Sequence, residues 1–369
     1  MKNRKIAFTA VSLAATMMLV ACGGGGGGSS NTGAAAPASG ASTPASTAPT
    51  TNSGNLQTSV PTAAYTGGTA QASIFSQLNA YRSAMGVGLL KQDSILDTSA
   101  SAHALYLVDN FANGNITSVT HNEVSTFADY YEATPLSRAQ KAGAPATEWI
   151  AENAAVGLNQ ATGDANASNC LGQYLNTVYH LQGATVIQET IGIGFQTNLA
   201  QGTYGCVLDF GETTNVVGTP TANGLYVGGG QQMATTTIAH SPISNETNVA
   251  RAMVAESPNP APDLTSPGRP LMVRMTAASA GDVLTVSSFT LTAADGTVVP
   301  ARIIVPSAAM TGSTGATADV NNGLYPGVVF LLPQAPLAAN TTYTAAFSGQ
   351  RNGKPVSATP ITWTFTTGS

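Results

Sequence analysis

The sequence predicts an α+β unit followed by an all-β sandwich, and three observations carry that reading. Between residues 70 and 213, apolar residues recur at helical spacing in four stretches and as β-branched runs in three more. Beyond Asn215 helical periodicity stops, and short alternating runs rich in threonine and valine take over. Between the two lies a Gly/Thr/Asn-rich stretch, 214–236, with the composition of a linker and hinge.

The chain opens with Lys2, Arg4 and Lys5, an apolar stretch over 6–20, and the quartet Leu19-Val20-Ala21-Cys22. That quartet resembles the bacterial lipobox, in which the cysteine is acylated and becomes the mature N-terminus, so residues 1–22 read as a lipoprotein signal peptide with Cys22 as the lipidation site. A plain signal peptide or a membrane helix is the weaker alternative, because the apolar stretch is shorter than the roughly 20 residues a span needs. Gly23 follows the cysteine, with no aspartate to resemble an inner-membrane retention signal. The expected location is the outer membrane of a two-membrane bacterium, on its periplasmic or outer face, with the lipid anchor as the membrane partner. Residues 23–69 are Gly, Ser, Thr, Ala, Pro and Asn in the main, and no charge appears before Arg82. Such a segment buries too little apolar surface to order itself and is expected to be a disordered tether with a reach of roughly 40 Å.

Ile74, Leu78, Tyr81 and Met85 lie on one helical face, with Gly86 as the stop. A second helix is expected over 94–111, with Leu96, Ala100, Ala104, Leu107 and Phe111 aligned. Thr134 and Pro135 form an N-cap and first position for a third helix ending at Gly143. A fourth covers 167–180. Strands are expected over 149–156, 187–197 and 204–210, completing a unit of residues 70–213. In the second unit, residues 237–369, strand patterns fall at 271–275, 283–291, 298–305, 328–332, 342–348 and 361–367, with Gly296 and Gly353 as turn residues.

Of three cysteines, Cys22 goes to lipid and leaves Cys170 and Cys206, an even remainder that in an exported chain reads as a disulfide. Closing that loop stabilises by roughly 4 kcal/mol on the chain-entropy model. Two unrelated buried thiols are the alternative; a zinc site on this pair is disfavoured by the lack of Cys-x-x-Cys spacing.

Only 8% of residues are charged, and four are histidine. Three of the 13 basic residues fall in the leader, leaving 10 against 18 acidic ones, a net charge of −8. With no basic stripe, the chain lacks the electrostatic footprint of a nucleic-acid binder. Against this sparse background His121-Asn122-Glu123, Glu152-Asn153 and Tyr179-His180 stand out. His121 and Glu123 are two apart, so an extended segment projects both to one side. His180 is expected from the end of the fourth helix and Glu152 from a strand start. Nitrogen and oxygen donors so placed suit zinc or a related divalent ion, or hold a water between them. Spacing alone favours each being an isolated polar residue satisfied by its neighbours. His103 reads as a hydrogen-bonded core histidine, His240 as solvent-exposed, and Tyr81, Tyr106 and Tyr179 as core or cleft wall.

Taken in order, Leu78-Asn79-Ala80-Tyr81-Arg82 with Gly86, Ala102-His103-Ala104, His121-Asn122-Glu123, Thr134 with Arg138 and Gly143, Glu152-Asn153, Tyr179-His180, Ile191-Gly192-Ile193-Gly194 and Val207-Leu208-Asp209-Phe210-Gly211 resemble the CAP/SCP superfamily, specifically its bacterial exported branch. The resemblance implies an α-β-α sandwich with a cleft lined by His121, Glu123, Glu152 and His180, supported by Asn153 and Tyr179. It departs from the family at Ala151, where many relatives carry glycine, and at Leu181, where many bacterial relatives carry arginine. Plant and animal members take their second acid from a helix, whereas the nearest equivalent here is Glu123. Residues 237–369 resemble bacterial Ig-like domains through Pro336-Leu337-Ala338-Ala339-Asn340-Thr341-Thr342-Tyr343 and Trp363-Thr364-Phe365-Thr366-Thr367, which implies a spacer or adhesion role.

Gly-x-Ser-x-Gly, His-Glu-x-x-His, phosphate-loop and dinucleotide motifs are absent. The expected function is therefore non-enzymatic: a surface-anchored lipoprotein whose CAP-like cleft binds a divalent metal, zinc foremost, or a small or lipid-like ligand, the latter because the family's roles include sterol and lipid binding. A metal-dependent hydrolase of peptide or cell-wall material, and an adhesin acting on a host or cell-surface partner through the Ig-like unit, are the alternatives.

Overall fold

The computed structural model describes residues 54–279 and 281–369. The expected leader, its Cys22 and most of the expected tether lie outside these residues. Among the described residues the chain is mixed α+β, with its α-helices confined to the first part and two open sheets in the second. Among the described residues, no helix is long and apolar enough to cross a membrane.

The first part comprises α1 (Ala70–Met85), β1 (Lys91–Gln92), α2 (Ser94–Ala112), α3 (Pro135–Ala142), β2 (Trp149–Leu158), α4 (Gly163–Leu175), α5 (Tyr179–Thr185), β3 (Thr190–Asn198) and β4 (Thr203–Glu212). Helix ends follow local chemistry. Thr69, Asp93, Thr134 and Thr162 accept from backbone N–H groups as N-caps, and Gly86 and Gly143 close α1 and α3 in the left-handed conformation. Expectation and structure differ at 167–180, where Asn176 caps α4 and a break separates it from α5. His180 therefore sits in the first turn of a new helix rather than at the end of the old one.

The sheet runs β1-β3-β4-β2. Alternation along its strands divides the two faces. Ile191, Ile193, Phe195, Tyr204, Cys206, Leu208 and Phe210 pack against α1 and α4 in one core, while Ala154 and Val207 pack with Ala100, Ala104 and Leu107 of α2 in another. On the α2 face, glycine is a requirement: a Cβ at Gly194 would lie 2.1 Å from the Ala100 carbonyl oxygen, and one at Gly205 2.3 Å from that of Ala104. The alanine-rich helix thus lies backbone-close to the sheet. Cys170 of α4 and Cys206 of β4 form the expected disulfide across the opposite face.

The second part contains β5 (Ala239–Ser241), β6 (Glu246–Val249), β7 (Leu271–Arg274), β8 (Leu284–Ala293), β9 (Ala301–Val305), a 3-10 turn at Ser307–Ala309, β10 (Ala316–Ala318), β11 (Val328–Pro333), β12 (Thr342–Arg351), β13 (Lys354–Pro355) and β14 (Ile361–Thr367). One sheet runs β10-β9-β11-β7-β5 and the other β13-β12-β14-β6, with β8 also paired to β12. Both sheets contribute to one core that includes Val273, Leu291, Leu331, Phe347 and Trp363. His240, expected in solvent, is half-buried in β5, stacked on Trp363 at 4.2 Å between ring centroids and bonded to the Pro242 carbonyl.

The expected tether and hinge are corrected by packing. Residues 54–69 are not a free tail: Asn55 donates to the Gly230 carbonyl, Gln57 to those of Leu89 and Glu189, and the Tyr65 hydroxyl to Asp97. Nor is 214–236 a free linker. Gln231 reaches the carbonyls of Leu89 and Gln188, Gln232 accepts from Thr276, and the Glu212 carboxyl accepts the Tyr226 N–H. The described residues belong to one compact unit, with a shared apolar cluster that joins Met85, Val87, Leu181 and Val186 to Met272, Ile304, Phe330 and Leu332. Around it Gln182 bonds to Gly323 and Tyr325, Arg274 to the Thr185 carbonyl, and Tyr179 to Asp319.

Such an interface makes the two parts unfold together. The chain has two tryptophans, Trp149 in β2 and Trp363 in β14, so variants with either one replaced by phenylalanine report on one part each. Truncating Phe330, fully buried in the joining cluster, to alanine costs about 3–5 kcal/mol. In urea titrations Phe330→Ala shifts both tryptophan transitions together; a shift confined to Trp363 would contradict the coupling.

Candidate functional site

Four elements build the site. Strand β2 carries Glu152 toward α2 and α3, where Arg138 of α3 donates to it at 2.6 Å, both side chains being fully buried. His121, in the loop between α2 and α3, places Nδ1 2.8 Å from the other Glu152 oxygen. Burial alone would raise this carboxyl. The Arg138 guanidinium, His103 and the hydrogen bond from His121 outweigh burial and hold it well below the usual carboxylate range. Its Cα partner across the sheet, Asp209, is buried with neither carboxyl oxygen in hydrogen-bond geometry. Burial and the adjacent Glu152 charge push Asp209 well above its usual range, so the two carboxyls of the pair are driven in opposite directions.

Glu123 does not join His121. Its Oε1 lies 2.9 Å from His103 Nδ1, and its Oε2 accepts the Tyr131 N–H at 2.7 Å, which buries it between α2 and the loop. The loop is not extended at this point, so the two-residue alternation that would have put 121 and 123 on one side does not apply. His103, bonded also to the Thr120 carbonyl, is the core histidine the sequence indicates. Arg138 binds the His121 carbonyl as well, tying the loop to α3.

His180 comes to the opposite side of β2. Its Nδ1 lies 3.0 Å from Glu256 Oε2, its ring stacks on Tyr174, and its backbone carbonyl accepts from Asn153. Asn153 thus braces the backbone as expected. Tyr179 does not support the cleft; its hydroxyl is held by Asp319 and Asn321 in the joining region. Glu256 belongs to the segment between β6 and β7, and besides His180 its carboxylate accepts the backbone N–H groups of Val178 and Tyr179 at the start of α5. The sequence reading missed it.

His121 and His180 line one cleft of about 320 Å³, together with Ser118, Ala154, Tyr174 and Glu256. Their side chains are 34% and 17% exposed, whereas those of Glu123 and Glu152 are inaccessible. The four-residue ligand set expected from sequence therefore separates into two cleft-facing imidazoles and two buried carboxylates behind them. Among the described residues, no group of three or more His, Cys, Asp or Glu side chains is arranged to hold a metal ion. What the geometry supplies is two rings with a fixed tautomer in the uncharged form: with Nδ1–H donated to a carboxylate, Nε2 keeps its lone pair, and neither Nε2 has a protein partner among the described residues.

No family model matches this chain, and no curated protein does. Among solved structures it is similar to an outer surface protein from Borrelia burgdorferi, at 18% identity over 37% of this chain and 88% of that one, with a TM-score of 0.29, a likeness too slight to define a common fold.

Replacing Glu152 with glutamine leaves Arg138 buried without its close partner, Glu123 being 3.7 Å away. The expected cost is about 3–5 kcal/mol near pH 7. The folded carboxyl lies below its ordinary value of 4.5, so its contribution is present above that pH and is lost as pH falls below it. The gap between wild type and Glu152→Gln in denaturant titrations should close in acid; a gap of equal size on both sides of that pH would contradict the assignment.

Proposed function

We propose that this chain is an exported, lipid-tethered binding protein in which a CAP-like unit and an Ig-like unit together enclose a cleft for a divalent cation or a small ligand. The observation that carries this reading is the pair of imidazoles facing one cleft, each with Nδ1 on a carboxylate and Nε2 open. Carboxylate–histidine pairs of this kind orient metal-binding rings and raise their basicity.

His121 and His180 would hold the ion, and Glu152 and Glu256 would orient the two rings. Two nitrogen donors leave coordination positions for water or ligand oxygen, and an ion there would act as a Lewis acid toward a bound carbonyl or carboxylate. Glu152 is committed to Arg138 and His121 and Glu123 to His103 and Tyr131, so neither is free to serve as a base toward a cleft-bound water. Binding is favoured over hydrolysis on that ground. The lipobox-like Leu19-Val20-Ala21-Cys22 supports the tethered location.

Zinc titration by calorimetry tests the reading. Wild type binds, the double variant His121→Ala/His180→Ala loses binding, and Glu256→Gln weakens it by about 10- to 100-fold. Equal zinc in wild type and the double variant would remove the cation from the account.

A further inference from the structure

The floor of the cleft is the free edge of a sheet. β2 is terminal in the order β1-β3-β4-β2, so half of its backbone groups face β4 and half face outward. Two bonds identify the outward half: the Glu152 N–H donates to Asn223 Oδ1 at 2.9 Å, and the Ile150 carbonyl accepts the Gly224 N–H at 2.7 Å. Pairing with β4 continues from Trp149 to Leu158 without a register shift. The period of two then places the N–H and C=O groups of Ala154 and Val156 on that same outward side. Ala154 lines the cleft, and neither residue has a partner on this edge among the described residues.

Native proteins shield such edges with lysine, proline, a bulge or a covering segment. The stretch Ala154-Ala155-Val156-Gly157-Leu158 has none of these, and Leu158 at its end is 66% exposed. The beginning of the edge is covered by residues 223–224 of the chain itself, and at its end the outward Leu158 carbonyl accepts from Gln160 Nε2 at 2.7 Å, which leaves Ala154 and Val156 open between them.

We infer that this edge receives an extended polypeptide segment of a partner protein, added as a fifth strand beside β2 within the cleft lined by His121 and His180. The occupant follows from the seam: Asn223 and Gly224 already supply the acceptor and donor for its first rungs, and the partner strand continues that seam over 154–156, up to the Leu158 carbonyl held by Gln160. Donors and acceptors recur every second residue, about 6.6 Å apart, a spacing that main chain matches and a compact ligand does not. A second copy of β2 is a poorer fit, because residues 118–121 and 254–257 line the same cleft as Ala154 and would crowd the further strands that a second sheet brings with its edge. The inference rests on the edge and is independent of the cation reading.

Hydrogen exchange on the full chain tests it, with an acetylated and amidated peptide of alternating valine and threonine as the probe. At about ten times its half-saturating concentration the peptide slows exchange of the 154 and 156 amides about tenfold. Val156→Pro removes one outward N–H and leaves the β4 ladder intact, since an edge strand accepts proline on its open side; peptide protection at 154 is then lost while the melting temperature holds. The same peptide N-methylated at alternate residues loses protection with the wild-type chain, which keeps the test decisive should the proline variant fail to fold. Unprotected amides at 154 and 156, protection indifferent to proline and N-methylation, or protection that grows with protein concentration alone would overturn the inference, the last in favour of a second copy.

Discussion

The buried contact between Arg138 and Glu152 is the constraint on which the site depends. An ion pair taken out of water persists only when its remaining donors and acceptors are satisfied, and here that requirement recruits the surroundings. Arg138 takes the His121 carbonyl, and Glu152 takes the His121 ring. One carboxylate thereby anchors α3, a strand and a long loop at a single point, and the position of His121 follows from that. Burial and the Glu152 charge push the Asp209 carboxyl beside it well above its usual range.

The other half of the cleft depends on a different carboxylate. Glu256 reaches from the second part of the chain to the first turn of α5 and holds both its N–H groups and the His180 ring. An apolar cluster and the polar bonds around it make that reach possible, because they bring the two parts together as one unit. The cleft is therefore a product of the assembled chain: residues 70–213 alone would carry both histidines but lack one wall and one of the two orienting acids.

Much of this was legible in the sequence because it is written locally. Caps at Thr134 and Gly143, the stop at Gly86 and the alanine-lined face of α2 each sit within a few residues of what they control. The disulfide followed from counting. Prominence in a chain poor in charge singled out His121, Glu152 and His180, but their convergence on one region was implied by the family resemblance and not by their spacing. What was missed is non-local. Glu256 lies in a proline-rich stretch without periodicity, and the split between α4 and α5 turns on Asn176. The anchoring of 54–69 rests on single side chains such as Gln57 and Tyr65 rather than on a pattern. One signal was available and went unused: when charges are this scarce, an arginine inside an amphipathic helix, such as Arg138, is a structural group seeking a buried acid.

The cleft depends on two rings held in one tautomer by carboxylates from the two parts of the chain. Nitrogen-15 NMR of the imidazoles of His121 and His180 in the neutral state measures this directly. The structure requires the proton on Nδ1 and the lone pair on Nε2 in both rings; an Nε2–H tautomer in either one would contradict it.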